Sequence, residues 1–139
     1  MNNGSMLNTK PVFQQSNQAL LAQKKLDSIG EKFLSMWQDV HGAPEGTVKV
    51  MVGQNGLMIF LENAFCKAEI VLAEKEEDRL LQQYINHLTE QMLPILTDHV
   101  EETINAPVKA TSITSNIGQE WIMVFLKFTT QNTFQTVVD

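Results

Sequence analysis

The segment from Val48 to Glu69, VKVMVGQNGLMIFLENAFCKAE, constrains the fold of this chain more than any other part of the sequence. Two apolar-rich runs flank Asn55-Gly56, and both of these residues tolerate the positive φ that a type I′ turn requires. The segment therefore predicts a tight β-hairpin. Cys66 and Glu69 follow with the spacing of a capping box, with a thiol where a hydroxyl is preferred, so a helix is expected to begin there.

Amphipathic helices are predicted on both sides of this hairpin. Ser16 is a candidate N-cap for a helix that runs to about Val40, and Gly42 is well placed as its C-terminal cap. A second helical pattern begins at Leu80, and Pro94 should kink it or start a new segment. The apolar positions recur at three- and four-residue steps: Ala22, Leu26, Ile29, Phe33, Met36, Trp37 and Val40 in the first helix, and Leu81, Ile85 or Tyr84, Leu88, Met92, Ile95 or Leu96, His99 and Ile104 in the second.

A second hairpin is predicted near the C-terminal end. Its strands are 108–114 and 120–128, joined by a turn at 116–119, and Val108 is expected on the same face as Ala110 and Ser112. The order α-ββ-α-ββ predicts an α+β fold, in which an antiparallel sheet of two hairpins carries helices on one face. We expect a flexible tail at 1–15, a single domain at 16–129, and a tail or short edge strand at 130–139.

Both hairpins are apolar on the face that should point away from the helices. We expect one chain to leave this face uncovered, so its large side chains predict a homodimer interface. Those side chains are Met51, Met58, Phe60, Trp121, Met123 and Phe125.

Composition limits the location and the partners. The net charge of −6 argues against nucleic acid as a partner. No apolar run reaches the roughly 18 residues that span a bilayer, so direct membrane insertion is not expected. A single cysteine and the lack of a signal-peptide pattern predict a cytoplasmic protein.

Few residues suggest chemistry. His87 and His99 lie twelve positions apart on one helix, about 18 Å along its axis, so they cannot share a metal. His99 and Glu102 could form half of a metal site, but no second half is visible. Cys66 is a candidate nucleophile without a histidine beside it in the sequence, so a structural role is favoured. We therefore predict no catalytic residue, no metal and no cofactor, and favour a protein that is not an enzyme.

These segments together resemble the MpsC-like family of small bacterial proteins. The chain departs from the family pattern at 42–46, at Cys66, where threonine is usual, and near His87, where arginine is frequent. The resemblance implies association with a cation-translocating, membrane-potential-generating system that is linked to inorganic carbon supply. It rests on 37–42, on VKVMVGQNGLMIFLENAF with 66–69, on the helix around Pro94, and on Val108 with WIMVFLKF.

Two functions remain open from the sequence. The first is a non-enzymatic accessory or regulatory homodimer that acts with a membrane complex translocating cations or bicarbonate. The alternative is a small-molecule-binding module with a pocket between sheet and helices.

Overall fold

The computed structural model describes residues 4–42, 45–75 and 78–129. They form three helices and four strands, which confirms the predicted α+β fold. In chain order these are α1 (Gly4–His41), β1 (Thr47–Val52), β2 (Gly56–Glu62), α2 (Lys67–Ala73), α3 (Asp78–Ile104), β3 (Val108–Asn116) and β4 (Trp121–Phe128).

The strands form one antiparallel sheet in the order β1-β2-β4-β3. Each predicted hairpin occupies one half of the sheet, and the two halves join through β2 and β4. The joining ladder runs from the Gly56–Lys127 pair to the Glu62–Trp121 pair. As a result, the two most apolar strands are central and the hairpins' outer strands, β1 and β3, form the sheet edges.

The helices pack on one face of the sheet and bury its branched aliphatic side chains. Because neighbouring residues of a strand point to opposite faces, every second residue of β2 and β4 enters this core. The core side chains of the sheet are Leu57, Ile59, Leu61, Ile122, Val124, Leu126 and Phe128, and those of α1 are Ala22, Ile29, Phe33 and Trp37.

Helix α1 begins at Gly4, so the predicted start at Ser16 is wrong. Extending an existing helix is far cheaper than nucleating one, and a helix anchored on the core can continue through a residue that also suits an N-cap. Its C-terminal end agrees with the prediction: Gly42 has φ 82° and its N–H donates to the Gln38 carbonyl at 2.9 Å. Val40, predicted on the buried stripe, is 48% exposed.

Gly30 marks the closest approach of α1 to the sheet. A Cβ at this position would lie 3.1 Å from Val50 Cγ2 and 3.2 Å from Val48 Cγ1. The glycine therefore lets the helix backbone lie directly on the valines of β1.

Helix α3 continues through Pro94. It also shows which residue is buried at the two positions where the sequence left two residues open. Ile85 and Leu96 are buried, whereas Tyr84 and Ile95 are more than half exposed. Helices α2 and α3 are separate, since α2 ends at Ala73 and α3 begins at Asp78. Asn105, with φ 63°, follows the last residue of α3.

The first hairpin forms, but its turn is not the predicted type I′. Neither Asn55 nor Gly56 has a positive φ. Gly56 already belongs to β2, and the Gly53 N–H donates to its carbonyl at 2.8 Å. What requires glycine at position 56 is space, because a Cβ there would lie 2.8 Å from Phe125 Cζ and 2.9 Å from the Leu126 carbonyl oxygen.

The second hairpin differs from the prediction at its start. A register shift between Val108 and Ala110 places Val108 opposite the buried Phe128. Val108 therefore packs against the core and not on the face of Ala110 and Ser112, because the β-bulge reverses the alternation.

The predicted division of the chain into two tails and one domain stays a prediction. The expected tail or edge strand at 130–139 lies outside the described residues. The boundaries of a flexible tail at 1–15 and a domain at 16–129 stay predictions.

Candidate functional site

The sheet face opposite the helices is the candidate functional surface, and we call it the open face. It consists of the six predicted interface residues, Met51, Met58, Phe60, Trp121, Met123 and Phe125. The register places them side by side: Met58 lies between Met51 and Phe125, and Phe60 pairs with Met123. The structure thus brings together residues that are up to 74 positions apart, from Met51 to Phe125.

Contacts within the open face hold its aromatic rings in place. The Phe60 and Trp121 rings lie with their centroids 5.9 Å apart at an angle of 32°. Phe125 covers Gly56, where any side chain would collide with the ring. Phe125 is still 38% exposed and Met51 47% exposed, and the other four are partly exposed.

Polar residues border the open face. On β1 and β2, the Lys49 ammonium lies 3.5 Å from the Glu62 carboxylate, and both side chains are well exposed. On β3, the residues that pair with the apolar side chains of β4 on this face are polar. Ser112 lies opposite Phe125, and Thr114 lies opposite Met123. An apolar centre with a polar rim is the usual arrangement of a protein–protein interface.

The open face can bind an apolar surface but offers no reactive group. From Trp121 to Phe125 it extends about 14 Å along β4, and it crosses three strands spaced about 4.8 Å apart. Methionine side chains adapt to the shape of a partner, and aromatic rings supply large rigid contact areas. The arrangement therefore suits recognition of another protein surface.

A histidine cluster that the sequence did not suggest joins the end of α1 to the start of α2. His41 stacks on Trp37 with ring centroids 4.3 Å apart, and Phe65 packs edge-on against both rings. The His41 Nε2 donates to the Glu69 carboxylate at 2.6 Å, and the Trp37 indole N–H donates to the Ala64 carbonyl at 2.7 Å. This cluster fixes how α2 sits on the domain.

The predicted role of Cys66 at the start of α2 is confirmed. Cys66 is the N-cap, in an extended conformation, and its backbone N–H donates to the Glu69 carboxylate at 2.9 Å. The same carboxylate thus accepts from Cys66 and from His41. His41 and Glu69 lie 28 positions apart in the chain, which explains why no sequence pattern revealed this contact.

The remaining histidines do not assemble into a reactive group. His99 Nε2 lies 3.2 Å from the Ser28 hydroxyl, so it joins α3 to α1. His87 is exposed on α3. Within the described ranges, no group of three or more His, Cys, Asp or Glu residues is placed to hold a metal ion.

Besides a small cavity of about 190 Å³ between α3 and β3, two larger cavities open at the edges of the sheet. One, of about 430 Å³, lies between α1 and β1 and is lined by Asp27, Glu31, Val48 and Val50 among others. The other, of about 320 Å³, lies between α3 and β3 around Pro94. The sheet–helix interface between them is filled by the core side chains.

Comparison with protein families identifies the chain. The family model described as "Na+-translocating membrane potential-generating system (MpsC)" matches residues 22–130. The chain belongs to the MpsC family. The match to MpsC begins at Ala22, a buried residue of α1, and spans all four strands, so it coincides with the packed part of the fold.

The other comparisons add no relative. No curated protein and no solved structure matches the chain. In the described parts of this MpsC protein, no helix has the length and apolar character needed to cross a bilayer.

Proposed function

We propose that this MpsC-family protein is a non-enzymatic accessory or regulatory subunit of a cation-translocating membrane system, and that it acts as a homodimer. The observation that carries the proposal is the open face, six large apolar side chains with a polar rim. The description of the family supports the membrane system, and the resemblance that includes inorganic carbon supply extends it to bicarbonate.

The homodimer follows from the character of the open face. A second copy offers the same apolar centre, so two copies related by a two-fold axis bury both faces at once. In such a dimer, the polar residues Ser112 and Thr114 of β3 lie at the border of the contact, where they stay exposed to water. The interface residues are those predicted from the sequence.

The non-enzymatic role is supported by what the candidate reactive side chains do. His41 and Glu69 hold α2, and His99 joins two helices. Cys66 caps α2. We propose that the protein acts from the cytoplasmic side without inserting into the membrane. The net charge of −6 disfavours nucleic acid as a partner.

The alternative, a small-molecule module with a pocket between sheet and helices, stays a prediction. Buried side chains of β2, β4, α1 and α3 fill most of that space, and the cavities among the described residues lie beside the edge strands β1 and β3. A rise in melting temperature with nucleotides, bicarbonate or metal ions would support the alternative.

Membrane potential in a strain that lacks the gene tests the proposal. A potential-sensitive dye reports the potential in the presence of Na⁺ after complementation with the wild-type gene or with variants. We expect Met123→Lys, in the centre of the open face, to fail. Thr114→Lys is the matched control and should complement. It places the same charge on the residue of β3 that pairs with Met123.

Two further variants separate a binding role from catalysis. Cys66→Ser and His99→Gln, each checked for folding by circular dichroism, should complement like the wild type. Failure of either folded variant would favour an enzyme. An unchanged potential in the deletion strain would contradict the role in a membrane system.

A further inference from the structure

The outer edge of β1 pairs with no other strand among the described residues. Within the described part of the chain β1 pairs only with β2, in an unbroken register from the Thr47–Glu62 pair to the Val52–Leu57 pair. Every second residue of such a strand directs its backbone N–H and C=O outward, where another strand can bind.

The other edge of the sheet differs. Strand β3 carries a bulge between Val108 and Ala110, and its sequence is rich in serine and threonine. Bulges are a common protection against edge-to-edge pairing. Strand β1, with the sequence TVKVMV, pairs with β2 without a bulge, and its one charged side chain, Lys49, lies on the open face beside Glu62. The outward backbone groups of β1 are therefore available to another strand.

A cavity that two exposed carboxylates border lies beside this edge, and one of them, that of Asp27, accepts from the Gln23 amide at 2.8 Å. The cavity of about 430 Å³ is bounded by α1 on one side and by Val48 and Val50 on the other. Asp27 and Glu31, one helical turn apart, supply its carboxylates. Lys49 also borders it, but its ammonium lies 3.5 Å from Glu62 and is engaged there.

We propose that the β1 edge binds an extended protein segment that carries Lys or Arg side chains on one of its faces. Such a segment adds a fifth strand beside β1, about 4.8 Å away. Alternate side chains of an added strand point toward α1, so its cationic groups reach Asp27 and Glu31 while its backbone pairs with β1.

A second copy of β1 fits this edge less well. Pairing of two β1 strands would bring Asp27 and Glu31 of both copies toward each other, and like charges at short distance oppose association. Cytoplasmic loops of membrane proteins are enriched in Lys and Arg. The segment that binds β1 is therefore a basic cytoplasmic segment of the membrane system. This assignment of the partner rests on the proposed function.

Fluorescence anisotropy with synthetic peptides tests this inference. The probe is a labelled heptapeptide of sequence TKTVTKT, which places two lysines and a valine on one face of a strand. We expect it to bind the full-length protein. The peptide TETVTET should not bind, and a version of the probe with N-methylated backbone amides on alternate residues should bind at least about tenfold more weakly, because it lacks the ladder donors.

Protein variants locate the site. Asp27→Asn combined with Glu31→Gln should weaken binding of TKTVTKT about tenfold, as expected for the loss of two partly shielded charge pairs. Asp39→Asn combined with Glu102→Gln changes the net charge equally at exposed positions outside the cavity, and binding should stay within twofold. Amide hydrogen exchange should slow in β1 when the peptide is bound.

The outcomes are distinct from those of the homodimer test. Equal binding by the two double variants, equal binding of the N-methylated peptide, or protection outside β1 would overturn the inference. Protection of β1 by a second copy in the absence of peptide would also overturn it. Met123→Lys lies on the other face, so loss of the dimer with retained peptide binding would separate the two proposals.

Discussion

Gly56 provides a sharp test of how the first hairpin is built. The Asn-Gly pair suggests a glycine needed for its backbone freedom, but Gly56 has no positive φ and lies in β2. A Cβ at this position would lie 2.8 Å from Phe125 Cζ and 2.9 Å from the Leu126 carbonyl oxygen. We therefore predict that Gly56→Ala destabilises the protein through contact and not through backbone strain.

The expected magnitude combines two opposing effects. Inserting a methyl group into a packed site costs about 1–3 kcal/mol. Replacing glycine in a strand by alanine recovers about 0.5–1 kcal/mol of backbone entropy. The Phe125 ring is partly exposed and can move, whereas the Leu126 carbonyl belongs to a central strand and cannot. The net loss should be about 1–2 kcal/mol, or roughly 3–8 °C in Tm for a chain of this size.

Urea unfolding followed by tryptophan fluorescence and circular dichroism, at one fixed protein concentration, measures this loss. Gly53→Ala is the matched control in the same turn, because its Cβ would meet nothing closer than the Gly56 carbonyl oxygen at 3.6 Å and Gly53 has no positive φ. It should stabilise the protein by about 0.4–1 kcal/mol. If Gly56→Ala were as stable as Gly53→Ala, the contact explanation would be wrong.

Two further stability predictions concern the histidine cluster, and one concerns α3. Trp37→Phe should cost about 1–3 kcal/mol in urea unfolding, because the buried Ala64 carbonyl loses its indole partner. Glu69→Gln should cost about 1–3 kcal/mol in the same assay through its contacts with His41 and Cys66, whereas Glu102→Gln on the exposed side of α3 should stay within about 0.5 kcal/mol. Ile85→Ala should lower the free energy of unfolding by about 2–5 kcal/mol, and Tyr84→Ala, at an exposed position, by no more than about 0.5 kcal/mol.

Local periodicity predicted much of the fold. Strands β2 and β4 alternate so regularly that both of their faces could be assigned from the sequence, and the register confirms that Met58 and Phe125 share a face. The cap residue Gly42 marked the C-terminal end of α1. These features depend on residues close together in the chain, which a single sequence displays directly.

The errors arose where local signals compete with tertiary contacts. The bulge that turns Val108 toward the core has no marker residue in the sequence. Ser16 suits an N-cap but lies within α1, because the helix extends beyond it. The Asn-Gly pair is compatible with a type I′ turn and also with a strand in which the glycine leaves space for the Phe125 ring. Only the packed structure distinguishes these two roles of Gly56.

The candidate site was predictable in part. The alternation of apolar side chains along the strands predicted the six residues of the open face. Their use as a dimer interface stays a proposal. The His41–Glu69 contact and the cavity beside β1 could not be predicted, because each depends on how α1 lies against distant segments. Gly30 is a weak helix former by its residue type, while its role in the structure is to bring α1 onto β1.

The central claim, that the open face joins two copies, is tested most directly by the mass of the protein in solution. Size-exclusion chromatography with light scattering at micromolar concentration should give twice the 15.7 kDa of one chain for the wild type and for Thr114→Lys. Met123→Lys should give 15.7 kDa with unchanged circular dichroism. A wild-type protein that elutes as a compact monomer, or a Met123→Lys variant that stays dimeric, would contradict the account.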